Sequence, residues 1–233
     1  MRLMKKILIG VLSMTLSVAP LLLVTGCREN DPGDFTADEL ALIRQSDSTM
    51  RVLTIADKSD SLILRDTSRM LSCEALLSDE YARLEQLMTA TVTHPSQDGV
   101  GIAGPQVGLN RRVVAVQRFD KEGEPFEVYP NIRIIWASES MASGPEGCLS
   151  VPDRRGEVLR STEITIEYTD IELLRKNTCS SGTQPDGDHR YGKDRTAEDM
   201  NLPIVTETIS GFTTVIFQHE VDHLDGKLYI DRL

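Results

Sequence analysis

"GFTTVIFQHEVDHLDG", residues 211–226, opens on an apolar run and closes on two histidines that bracket a glutamate. The pattern predicts a helix stopped by Gly226, a residue suited to the left-handed cap. On such a helix His219 and His223 lie one turn apart on the same face, and Glu220 points into the space they share. Val215, Ile216 and Phe217 before the histidine pair and Leu224 just after it are apolar enough to bury the helix. H-E-x-x-H on a buried helix offers two neutral imidazoles to one divalent ion and a carboxylate base to the water beside it. The plain alternative is a solvated helix end carrying two histidines by accident. His94 and His189 stand in polar stretches without such company.

A catalytic metal takes three protein ligands and leaves one position open. After His223 the only acidic side chains are Asp225 and Asp231, with no further Glu or His. The search for the third ligand therefore moves upstream, to "PEGCLSVP" (145–152). Cys148 stands there between small residues in what reads as a loop, and a coordinated thiol stays deprotonated. Taken alone, Cys148 reads as a small buried hydrophobe.

Working outward, "LLSDEYARLEQLMTATV" predicts a helix over 76–92, with Leu77, Tyr81, Leu84, Leu87 and Met88 near one stripe and Ser78 as a cap. A Gly-punctuated loop precedes a strand at 113–119. "FEVYPNIRIIWASES" reads as a second strand with an irregularity at Pro130. "STEITIEYTD" (161–170) alternates as a half-buried antiparallel strand. Residues 176–203 are polar and without period, and read as a surface insertion. Strands before one long buried helix predict an α+β fold: antiparallel β-sheets around the C-terminal helix that carries H-E-x-x-H.

The beginning of the chain has another character. "MRLMKK" is basic, "ILIGVLSMTLSVAPLLLV" is apolar but interrupted, and "VTGC" ends in Cys27. Small residues before a cysteine resemble a lipobox, so residues 1–26 are expected to be a lipoprotein signal peptide and Cys27 the lipidated terminus. An uncleaved membrane anchor is the alternative. Residues 27–50 read as a tether with room for a short helix, and the catalytic domain as 51–233. The expected location is exported and membrane-anchored, with the membrane as partner through the lipid. Cys73 and Cys179 are free to pair in an exported chain, and free thiols fit the sequence equally. Of 233 residues, 25 are Lys or Arg and 36 Asp or Glu, a net charge of −11 that repels phosphate backbones and excludes nucleic acid.

"GVGIAGPQ" (99–106), "EGCLS" (146–150) and "QHEVDH" (218–223) occur in an order that resembles the three motifs of peptide deformylases, enzymes that remove the N-formyl group from nascent bacterial polypeptides. The likeness runs from about residue 52 onward, helped by "RRGEVLR" and "DGKLYIDRL". It implies that Cys148, His219 and His223 are the metal ligands, with ferrous iron the expected ion and zinc, nickel or cobalt the alternatives. It makes Glu220 the general acid/base, with Gln106 and the Leu149 N–H facing the substrate carbonyl. Gly99, Gly101, Ile102 and Arg155 would line the peptide path, and Glu146, Arg160 and Asp222 would orient the ligands. The implied reaction is metal-dependent release of formate from an N-formylated methionyl peptide, the expected partner. A non-catalytic binder of such peptides and an H-E-x-x-H endopeptidase are the rival functions. Three departures stand out: Gly104 where alanine is usual, expected to loosen that loop; Tyr129 where asparagine is usual; and the long stretch 176–203. An exported location also sits poorly with housekeeping deformylation at the ribosome.

Overall fold

Residues 33–180 and 201–233 are described by the computed structural model of the chain, and they fall within one unit that begins at Asp31. Helices α1 (Ala37–Gln45), α2 (Lys58–Leu64), α3 (Cys73–Leu76) and α4 (Asp79–Val92) come first. Each begins where a side chain accepts a backbone N–H, from Thr36, Asp57, Ser72 and Ser78 in turn. The helix expected over 76–92 is thus divided, because Ser78 caps α4 and Leu77 ends α3.

Strands β1 (Gly101–Ala103), β2 (Val113–Gln117) and β3 (Phe126–Pro130) form an antiparallel sheet in that order. Three more, β4 (Arg133–Ala137), β7 (Glu163–Thr169) and β8 (Ile204–Ser210), form a second sheet in the order β4-β7-β8. Between them in sequence, β5 (Met141–Cys148) and β6 (Val151–Ser161) make an antiparallel hairpin. Helix α5 (Ile171–Ser180) follows β7, and α6 (Phe212–Leu224) follows β8. The single strand expected around Pro130 is two strands in different sheets. Asn131 takes a left-handed φ of 56° between them, and its side-chain amide binds both the N–H and the carbonyl of Leu71, which fixes the corner.

The sheets pack on α6. Ile216, Phe217, Val221 and Leu224 meet Ala103, Val114, Val116, Ile164, Ile166 and Ile209, and each large side chain so buried stabilises by about 1.5–3 kcal/mol. Tyr129 stands edge-on to Phe217 with ring centroids 4.9 Å apart, and its hydroxyl accepts from Arg118 Nη1 at 2.5 Å. Tyr129 thus serves the packing beneath α6.

Two expectations are corrected. The tether expected over 27–50 is in its later part folded: Phe35, Ile43 and Met50 are buried among Leu84, Leu87 and Met88. Arg111, 2% exposed, donates to both oxygens of Glu39 on α1 at 2.8 and 2.7 Å. Three apolar anchors spread over sixteen residues leave no run to recognise. Of the insertion expected over 176–203, residues 176–180 continue α5, while 181–200 lie outside the described residues. The signal peptide and Cys27 also lie outside them, as does the side chain of Cys179.

Candidate active site

Helix α6 brings His219, Glu220 and His223 to one place, and the fold leaves Glu220 4% and His223 0% exposed. Cys148 is not in an open loop but at the end of β5, where the pairing slips between Gly147 and Cys148 and the chain turns tightly back to Val151. The slip lifts the sulfur toward α6. Its Sγ lies 3.2 Å from His223 Nε2, and the ligand atoms of Cys148, His219 and His223 all lie within 4.8 Å of one another. His219 Nδ1 meets Glu146 Oε2 at 2.8 Å, which turns Nε2 toward the sulfur.

Charges behind the imidazoles are paired. Arg160, 2% exposed, donates to Glu146 Oε1 and Oε2 at 2.7 and 2.9 Å and to Asp222 Oδ2 at 2.6 Å. Burial alone would raise the Glu146 carboxyl, but hydrogen bonds from Arg160 and His219 outweigh it and hold the group at about 2. Burial opposes charge on His219 too, yet its bonds to Cys148 and Glu146 raise it to about 10. His223 is driven well down, by burial first and then by the charge on His219. Burial pushes Glu220 up to about 7, with His219 pulling the other way.

A cavity of about 810 Å³ opens over these groups, lined by Gly99, Gly101, Gln106, Glu146, Cys148, Leu149, Arg155, His219 and Glu220. Gly101 is there because nothing larger fits: an added Cβ would sit 2.5 Å from Glu220 Oε1. Gln106 is fixed at both ends of its amide. Its Oε1 accepts from Ala103 N at 2.8 Å, and its Nε2 lies 3.2 Å from Ser150 Oγ and 3.6 Å from the Cys148 sulfur. Gly104 does not loosen this turn. A Cβ there would meet the backbone oxygens of Arg111 and Leu109 at 2.6 and 2.7 Å, so glycine lets the turn close.

One expected residue is elsewhere. Ile102 is fully buried with the α4 core and does not line the cavity, since alternation along β1 sends it to the face opposite Gly101. Arg160 and Asp222 stand behind His219 rather than on the cavity wall. Several participants escaped the sequence reading. Ser150 donates its N–H to the Cys148 sulfur at 3.4 Å and was within reach, since it closes the cysteine motif. Arg154, Phe212 and Val215 line the cavity without any sequence signal of that role. Tyr229 stacks on His219, and Arg232 donates to Asp222 from near the end of the chain.

One sulfur and two imidazole nitrogens form a donor set suited to a borderline divalent ion. Ser150 N–H points at the sulfur, and Glu220 Oε2 is buried without a hydrogen-bond partner. The residues present fit such an ion. Comparison with known proteins identifies the family. The sequence pattern of polypeptide deformylases matches residues 50–184 and 194–233. The peptide deformylase of Leptospira biflexa is 32% identical over 178 residues, covering 73% of this chain and 82% of its own length. Peptide deformylase 2 of Gloeobacter violaceus is 31% identical over 186 residues, covering 79% of each. The actinonin-bound crystal structure of a class I type b peptide deformylase from Acinetobacter baumannii superposes with a TM-score of 0.59 at 28% identity, covering 80% of this chain and 99% of that one. The chain belongs to the polypeptide deformylase family and is an enzyme of it.

Proposed function

We propose that the protein is a metal-dependent hydrolase that removes the N-formyl group from formyl-methionyl peptides and releases formate. The observation that carries this reading is the meeting of Cys148 with His219 and His223 within 4.8 Å, beside the buried Glu220. Cys148 Sγ and the two Nε2 atoms would hold the ion, ferrous iron by family expectation, with zinc, nickel or cobalt as alternatives. Bound there, the ion would polarise the formyl carbonyl and lower the pKa of water to about 7.

The chain's own residues supply the rest. Glu220 takes the proton of the attacking water and returns it to the departing amine; a carboxyl pushed up to about 7 exchanges protons readily near neutrality. Gln106 Nε2, with its carbonyl tied to Ala103 N–H, offers its amide protons to the oxyanion together with the Leu149 N–H. One such donor is typically worth about 3 kcal/mol of barrier. Gly99 and Gly101 leave room for a peptide backbone, and Arg155 stands on the cavity wall to meet it. An A. baumannii relative has been solved with Met-Ala-Ser bound, which supports a methionyl peptide as the product here.

The "VTGC" stretch supports export and lipid attachment at Cys27. Formyl peptides outside the cytoplasm, or other formylated amines, are then the substrates. Mass spectrometry of the mature terminus tests this, and an unmodified Met1 refutes it. The chemistry is tested by formate release from formyl-Met-Ala-Ser with anaerobically purified protein and metal analysis. Glu220→Ala is expected to keep metal and lose turnover; a fully active variant removes Glu220 from the role of base.

A further inference from the structure

We propose that the short 3-10 turn Tyr229–Arg232 is a positioning element for His219, holding the imidazole at its face and, through a line of ion pairs, at Nδ1. The inference rests on the metal-site reading above and adds two residues to it, Tyr229 and Arg232.

The face contact is direct. The Tyr229 ring lies over His219 with centroids 6.1 Å apart and planes 19° from parallel. The second hold runs through four side chains. Arg232 Nε and Nη2 donate to Asp222 Oδ2 and Oδ1, both at 2.5 Å, a two-pronged contact that fixes the plane of the carboxylate. Asp222 Oδ2 also accepts from Arg160 Nη1 at 2.6 Å. Arg160 grips Glu146 with Nε and Nη2, and Glu146 Oε2 reaches His219 Nδ1 at 2.8 Å. Two guanidinium groups and two carboxylates alternate along the line, so their charges cancel.

Removing the outer guanidinium would leave two buried carboxylates sharing Arg160 alone. Asp222 then competes with Glu146 for it, and the bond that orients His219 slackens. Asp222 also lies on α6, three residues after His219, so the same arginine steadies helix and ring together. The turn itself is held in place: Arg65 pairs with Asp231, and Asp231 Oδ2 accepts Leu228 N–H at 2.8 Å.

Loss of a partner that touches a metal-binding histidine typically costs 10–100-fold in metal affinity. Arg232 acts from further out, and about three- to tenfold is expected by the same reasoning. The test uses the full chain, with zinc affinity read by chelator competition and kcat and KM measured on formyl-Met-Ala-Ser. Arg232→Gln should weaken zinc binding and lower kcat by similar factors while KM stays put, and Arg232→Lys should recover part of both. Tyr229→Leu removes the face contact without touching the ion pairs and should also weaken zinc binding, which keeps the test decisive if Arg232→Gln does not fold. Arg44→Gln, which breaks the exposed pair with Glu80, should change neither quantity. Arg232→Gln and Tyr229→Leu proteins that melt earlier but bind zinc and turn over as the wild type does would overturn the proposal. A wild type that takes up no metal overturns the reading of the site itself and the inference with it.

Discussion

Replacing Gly101 by alanine isolates the placement of Glu220 from its chemistry. Gly101 lies on β1, paired with Val116, and its missing side chain is the space that the carboxylate occupies. A Cβ there would lie 2.5 Å from Glu220 Oε1, 3.0 Å from its Cδ and 2.8 Å from Ile216 Cγ2, where ordinary contact begins at 3.4 Å. The backbone of β1 is held by its ladder, so the carboxylate must retreat by nearly an ångström. A displacement of about 1 Å in a reacting group costs about 10²-fold in rate, equivalent to about 2.7 kcal/mol of barrier. Cys148, His219 and His223 are untouched, so metal content should match the wild type. The assay is kcat/KM for formate release alongside metal stoichiometry and a melting curve. A folded, metal-replete Gly101→Ala protein within threefold of wild-type activity would refute the argument that this glycine exists to seat Glu220.

Other expectations are as direct. Gln106→Ala should lower kcat by about 10²- to 10³-fold with metal content unchanged, measured by the same formate assay. Gly104→Ala, although alanine is the usual family residue, should destabilise this chain by about 1–3 kcal/mol because backbone oxygens rather than side chains block the Cβ; urea unfolding measures it. Glu146, held at about 2 against an ordinary 4.5, stabilises the folded state above the unfolded value and loses that contribution as pH falls from 4.5 toward 2. Its full worth is about 3 kcal/mol. Unfolding of the metal-free protein between those pH values should show a slope that Glu146→Gln flattens.

The helix at 211–226 was legible because an apolar run and a four-residue histidine spacing point to the same period, and the structure gives α6 over Phe212–Leu224. The alternation of Ile164 and Ile166 marked β7 for the same reason. The hairpin of β5 and β6 left no such trace. "MASGPEGC" is mostly exposed and its order comes from pairing with Val151–Ser161 rather than from any alternation of apolar and polar residues. Cys148 was found through its motif, yet the slip in pairing that aims its sulfur could not be read. Ile102 was misplaced because motif likeness names positions without saying which face of a strand they occupy. Tyr229 and Arg232 act through tertiary contacts alone, and nothing beside them in sequence announces it.

The clasp between Arg111 and Glu39 bears on where this enzyme can be cut. A fragment started at residue 50, where the family match begins, would lose Glu39 and also the Asp34 carbonyl that Arg111 Nη2 reaches at 2.5 Å. Stripping the partner from a buried charge typically costs about 3–5 kcal/mol, a large share of the 5–15 kcal/mol that keeps an ordinary domain folded. Homology alone would place the scissors inside the folding unit; expression clones should open at or before residue 31, where that unit starts.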